Sequence, residues 1–422
     1  VIVLDRRGIT LFLLLAVSPG VSLAAGSASL LLPPDVRVSG VRALGLGIPP
    51  VALSPAVLGG TGAQNPVWTG AESKDVQKNV LRGLYVPSLL LGANGTTRSL
   101  AKAYFGGRSS TQKALEDFLK EAMNQQTPFG FIEFSPGFTV WRTGLSLFAR
   151  TEVEGYVWRP AASIEESGHE SLQSVSDDSP TPRILSLSGE SSQMDVNVKI
   201  HRGVRLSFST PYKNTGVMAG VTVRPTWRSD FSGSVGLSEP LLTETAQELR
   251  KKFNETRGVP IDIALLVRVP RWAMKPSLGL MVEDMGNTTF KAASSSHQDF
   301  LQKANFSAGL SGWLFQKNAF SAQCTLAGHH LNDGRVAKFS TLGLGCETHV
   351  LGRTEGDVVT GAPLVLRAGV TRQGVSYGAS WDMPFAALEV ASSTVEVVGP
   401  VGTTPRTDRR YFLRLTVDAS QP

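Results

Sequence analysis

The side chains that could do chemistry are few, and their spacing is wrong for catalysis. His329 and His330 adjoin at the end of an alternating segment. Neighbours on a strand point to opposite faces, so this pair cannot readily share a metal ion and reads as a surface or loop pair. Gly189-Glu190-Ser191 and Gly233-Ser234-Val235-Gly236 do not have the spacing of a nucleophile elbow. Gly45 and Gly47 lack the third glycine and the strand-turn-helix setting of a dinucleotide-binding loop. The reading is therefore of a protein that is not an enzyme, with no catalytic residue, no cofactor and no metal.

A second set of residues has a pattern. Lys199, Arg205, Arg224, Asp262, Arg268, Glu283, Glu347, Arg367, Asp382, Glu389 and Arg414 each interrupt the polar side of an alternating segment. Arg205, Arg224, Arg268, Glu283, Arg367 and Arg414 are the candidate interior polar residues. Two roles stay open for them. They can pair with one another and hold the interior rigid. Alternatively, an arginine cluster can grip a carboxylate head group, because the guanidinium presents a donor fork that fits it.

The elements that must carry these charges alternate with a period of two. Ile261, Ile263, Leu265, Val267 and Val269 share one face of a segment; Asp262, Ala264, Leu266 and Arg268 share the other. Similar alternation predicts strands near 83–95, 128–141, 144–157, 194–210, 215–230, 259–270, 276–288, 303–316, 319–331, 337–350, 362–371, 374–382, 385–397 and 409–418. Turn residues such as Lys213-Asn214, Asp333-Gly334 and Arg372-Gln373-Gly374 punctuate them. The number, about fourteen, is even, as bacterial barrels require. A soluble β-sandwich also alternates. The long strands and the Gly/Ser/Thr-rich polar faces with isolated charges favour a tilted membrane crossing. The fold class expected is all-β: a transmembrane antiparallel barrel with an N-terminal plug and a few short helices.

Around the barrel (83–422), 99–125 reads as one or two helices and 161–193 as a mobile Ser-rich acidic loop. Residues 238–254 read as a rim helix, capped by Ser238 with Pro240 in its first turn. At the N-terminus, Arg6-Arg7, the apolar Ile9 to Val17 and the small residues Ser22-Leu23-Ala24 read as a signal peptide over 1–24, cleaved after Ala24. Charged residues are 18% of the chain and the formal net charge is +6, with no dense basic block, which argues against nucleic acid as a partner. Folding around a turn at Asp333-Gly334 does not bring Cys324 opposite Cys346, so both are expected to be free apolar residues.

Several segments carry a family resemblance. Arg42, Ala43, Gly45, Gly47, Ala52 and the Gln64-Asn65-Pro66-Val67 turn resemble the N-terminal signature of FadL-type outer-membrane barrels. Val67 departs from the Ala usual there, and Ile48-Pro49-Pro50 is also atypical. Pro276 to Leu280, Asp284-Met285-Gly286, Leu342 to Glu347 and Leu366 to Gly378 resemble strands of PorV-like and TraF-like relatives. The chain departs from a standard outer-membrane ending, which places an aromatic last. The resemblance implies residence in the outer membrane of a Gram-negative bacterium, among its lipid. It implies passive uptake of hydrophobic, long-chain fatty-acid-like molecules through a plugged lumen. Residues 25–82 would fold inside as a hatch, with Asn65, Pro66 and Val67 forming its turn. The alternative it implies is a docking scaffold for a protein partner in a secretion or conjugation machine.

Overall fold

The computed structural model describes residues 46, 84–94, 129–140, 143–158, 193–209, 216–236, 253–269, 271–295, 297–317, 320–332, 342–351, 353–355, 358–360, 364–383, 386–397 and 406–418. The signal peptide, all of the hatch except Leu46, the helices near 99–125 and the loop 161–193, apart from Gln193, which opens a strand, lie outside these residues. So does the expected helix 238–254, apart from Phe253 and Asn254, and Asn254 opens a strand instead.

Twenty strands are present among the described residues. The first four are β1 (Leu84–Asn94), β2 (Phe129–Val140), β3 (Thr143–Trp158) and β4 (Gln193–Ser209). Eight pieces follow: β5 (Val217–Val223), β6 (Thr226–Gly236), β7 (Asn254–Gly258), β8 (Ile261–Arg268), β9 (Ser277–Glu283), β10 (Thr288–Ala292), β11 (Phe300–Gln302) and β12 (Asn305–Gln316). Then come β13 (Phe320–Gly328), β14 (Leu342–Val350), β15 (Arg353–Glu355), β16 (Val358–Thr360) and β17 (Leu364–Thr371). The last are β18 (Gly374–Met383), β19 (Ala386–Val397) and β20 (Arg406–Asp418). The eight pieces join end to end as four long strands. β15 and β16 form a hairpin of their own. β1 pairs with both β2 and β20, so the sheet closes into a fourteen-stranded antiparallel barrel. Closure leaves no edge, which is what lets strands cross lipid with every backbone group paired.

The two faces are inverted relative to a water-soluble protein. Ile132, Phe134, Leu147, Leu310, Leu314 and Leu366 are large, apolar and exposed on the outside, Leu147 at 56%. Arg150, Glu347, Arg410 and Asp408 are charged and buried inside. A soluble sandwich buries the first group and exposes the second. The connections over 95–128 and 159–192 leave one end of the barrel, whereas the tight 141–142 and 384–385 turns leave the other. In barrels of this architecture the longer loops are extracellular.

The split strands break at one level for local reasons. Pro225 and Pro260 have no N–H to give, so the ladder stops beside each. Their carbonyls still accept, from Val204 N at 3.1 Å and Arg224 N at 2.9 Å. A Cβ on Gly203 would lie 2.2 Å from the Pro225 oxygen, so only glycine fits there. On the next strand Asp284 (φ 52°), Gly286 (φ 88°) and Asn287 (φ 61°) turn the chain out of extended conformation.

The cysteine expectation is corrected. Cys324 and Cys346 face each other with Cα atoms 4.1 Å apart and form a disulfide. A tight turn at Asp333-Gly334 would set Gly328 opposite Phe339, but Gly328 stands opposite Leu342. The longer connection shifts the register and aligns the sulfurs. The bond sits on the outer wall, one row from the Leu326–Leu344 pair, and disulfides form in oxidising, extracytoplasmic compartments. The denatured, unreduced protein is expected to take up no maleimide, and the reduced protein two equivalents, by intact mass. Labelling without reductant would refute the bond.

The histidine pair falls beyond a strand end, as a loop pair is expected to, but strand geometry does not govern its rings. His329 and His330 lie beyond the end of β13, and His330 has φ 52°, so strand alternation no longer applies. Their rings meet edge to face at 5.0 Å.

Candidate functional site

The lumen is lined by carboxylate–arginine pairs carried on neighbouring strands. Where the split strands break, Arg224 bridges two aspartates. Its Nε lies 2.8 Å from Asp262 Oδ2, and its second nitrogen donates to Asp262 Oδ1 at 2.9 Å and to Asp284 Oδ1 at 3.3 Å. The Asp284 backbone N–H also donates to Asp262 Oδ1 at 3.0 Å. Gln302 donates to Asp284, and Asn305 to Glu283. Alternation would put Glu283 and Asp284 on opposite faces. Both are buried, because the turn at Asp284 redirects the second carboxylate inward.

One step around the wall, Arg205 donates both terminal nitrogens to Glu133 Oε1 at 3.2 Å and lies 4.2 Å over the Phe148 ring. Arg150 donates to Glu152 at 2.8 Å. Arg150, Arg205, Arg224, Arg228 and His201 surround a void of about 10 Å³, which is water-sized.

Across the barrel, Glu347, Arg367, Glu389 and Arg414 form a ladder on β14, β17, β19 and β20. Successive gaps are 3.7, 3.5 and 3.6 Å. Toward the end with the long connections, Asn94 donates to both oxygens of Asp408 at 3.1 Å, and Arg410 spans Asp408 at 3.3 Å and Glu154 at 2.7 Å.

The six candidate residues thus fall in separate places. Arg367 and Arg414 share Glu389; Arg205 and Arg224 hold different carboxylates near the small void. Arg268 and Glu283 are buried on β8 and β9. Lys199 sits between Glu152 and Glu154 at 4.0 and 3.9 Å. The Asp382 side chain lies outside the described residues, as do Asn65, Pro66 and Val67.

Several interior residues escape the sequence pattern. Glu133 was hidden because both faces of β2 are apolar nearby: Phe129 and Phe131 point in, Ile132 and Phe134 out. Those phenylalanines belong to a buried apolar cluster with Leu90, Ala391 and Phe412. Gly92 stands in register between Phe131 and Phe412, and a Cβ there would come 2.8 Å from the Phe412 ring. The missing side chain is the space the ring uses. Phe129 and Phe131 meet Phe412 edge-on at 5.9 and 6.5 Å, and Arg410 caps Phe129 at 3.9 Å. The signal available was the run Phe129, Phe131 and Phe134 beside Gly92.

Leu46 is fully buried against β14 and β17. A Cβ built on Gly345 would lie 2.6 Å from the Leu46 carbonyl oxygen, and one on Gly369 1.9 Å. Both glycines are on the lumen face, in line with Glu347 and Arg367. Among the described residues no group of three or more His, Cys, Asp or Glu is placed to hold a metal.

No family model matches the chain, and no curated protein does. The solved structures that it matches include hydrocarbon transporters. The toluene transporter TodX of P. putida is 10% identical, at a TM-score of 0.42, over 90% of this chain and 97% of that one. The toluene transporter TbuX of Ralstonia pickettii is 10% identical, with a TM-score of 0.44 over the same shares. The monoaromatic hydrocarbon channel CymD is 10% identical, with a TM-score of 0.43, again over 90% and 97%.

Proposed function

We propose that this chain is a FadL-type barrel of the outer membrane of a Gram-negative bacterium, and that it admits uncharged hydrophobic small molecules passively. The observation that carries the reading is the lumen-facing cluster of Leu90, Phe129, Phe131, Ala391 and Phe412, near the end with the long connections. An apolar ligand entering from outside would exchange water for aromatic faces there. An uncharged ligand is favoured over a fatty-acid carboxylate, because Arg205, Arg224, Arg367, Arg410 and Arg414 already hold carboxylates of the protein itself. Leu46 against Gly345 and Gly369 supports an N-terminal hatch inside the barrel. The scaffold alternative would act through surfaces such as the loop 161–193 and the expected helix 238–254, and no observation on the described residues favours it.

Toluene is a suitable probe. Phe412→Asp replaces the ring that Phe129 and Phe131 both meet with a charged group, so an apolar ligand loses the aromatic faces it would contact there. Initial uptake of labelled toluene by cells making this variant is expected to fall at least about tenfold, equivalent to 1.4 kcal/mol. An unchanged rate at equal amounts of folded protein would remove the transport reading.

A further inference from the structure

On the outside of the same wall, β18, β19, β20 and β1 enclose a concavity of about 620 Å³. Register explains it. Ser392 stands opposite Tyr377 on one side and Tyr411 on the other. Two rings therefore flank a gap one side chain wide, with a buried serine as its floor. The next row down is apolar: Ala379, Val390, Leu413 and Leu91 lie side by side in register. The row above holds Arg409, opposite Thr394. Its guanidinium lies 5.1 Å over the Tyr377 ring and contacts neutral groups, Thr394 Oγ1 at 3.4 Å and the Val375 carbonyl at 3.5 Å. A cation thus heads a groove whose floor is apolar, and Arg409 lies near the start of β20, at the end with the long connections.

We infer that this groove is a binding site for one anionic membrane lipid of the outer leaflet. Its phosphate would sit on Arg409 and one acyl chain would descend between Tyr377 and Tyr411 onto Val390 and Ala379. The match is in charge and in polarity along the barrel axis. The guanidinium fork suits phosphate oxygens. Tyrosines favour the headgroup level, where one end is wet and the other apolar. Ser392 and Ala379 are small and take up little of the concavity of about 620 Å³. The site does not depend on what crosses the lumen.

The test is native mass spectrometry of the full chain in mild detergent, titrated with phosphatidylglycerol or with phosphatidylcholine of the same acyl chains. The expected result is one retained phosphatidylglycerol, held more tightly than phosphatidylcholine. Arg409→Gln is expected to weaken it about tenfold, as loss of one charge-assisted contact implies. Ser392→Leu fills the gap and is expected to remove it. Heat-modifiable gel mobility checks folding, and Ala379→Leu closes the groove from the neighbouring strand should Ser392→Leu fail to fold. Three outcomes would overturn the proposal: equal retention of both lipids, unchanged binding in Arg409→Gln, or displacement of the lipid by inorganic phosphate alone.

Discussion

Arg224→Met is expected to destabilise the barrel by about 3–5 kcal/mol, because it leaves two buried carboxylates facing each other with no cation between them. Asp262 and Asp284 both lie against this one guanidinium, and Asp262 also accepts the Asp284 backbone N–H. Methionine matches the length of the removed stem, so packing is largely kept and the loss reports the charge. Arg224→Lys should recover only part, since a single ammonium cannot reproduce the forked contacts to both aspartates. Urea titration of the reconstituted protein, read by heat-modifiable mobility, measures the difference. A loss below about 1 kcal/mol would mean that water reaches this level of the lumen and screens the pair.

Gly369→Val is expected to displace Leu46 from the wall. The new Cβ would fall 1.9 Å from the Leu46 carbonyl oxygen, and that contact is with backbone, which cannot rotate away. Overpacking of this kind costs about 1–3 kcal/mol when the surroundings hold firm. Here the displaced partner belongs to the segment proposed as the hatch. The functional readout should therefore dominate: cells making the variant become sensitive to large antibiotics, as do cells making a chain without residues 25–67. If stability falls while permeability stays that of the parent, Leu46 is a wall contact only, and the hatch proposal is withdrawn.

Both predictions turn on residues that the sequence exposes unequally. Arg224 is legible because it sits on the polar side of a long alternation. Its partner Asp284 is not, because positive φ at Asp284, Gly286 and Asn287 breaks the period and sends the carboxylate to the face that alternation denies it. Glu133 and Arg150 are illegible for a different reason. Their strands place phenylalanines on the lumen side as well as apolar residues on the lipid side, so the polarity contrast that sets the phase disappears. The cysteine pairing failed on register: Asp333-Gly334 looks like a tight hairpin turn, and the final Gly328–Leu342 pairing moves the two strands past it.

What the sequence determined by itself was the architecture: fourteen long strands, one face apolar and the other small or polar, in an order that closes. Side-chain direction in a strand has a period of two and depends only on local backbone geometry, so neighbouring residues suffice to reveal it. The tertiary structure alone decided which charges meet, where the aromatic cluster and the outer groove lie, and that Cys324 joins Cys346. Those contacts depend on register between strands distant in sequence. Register is fixed by the length of each connection and by breaks at Pro225, Pro260 and Asp284, and a shift of one residue turns every side chain to the other face.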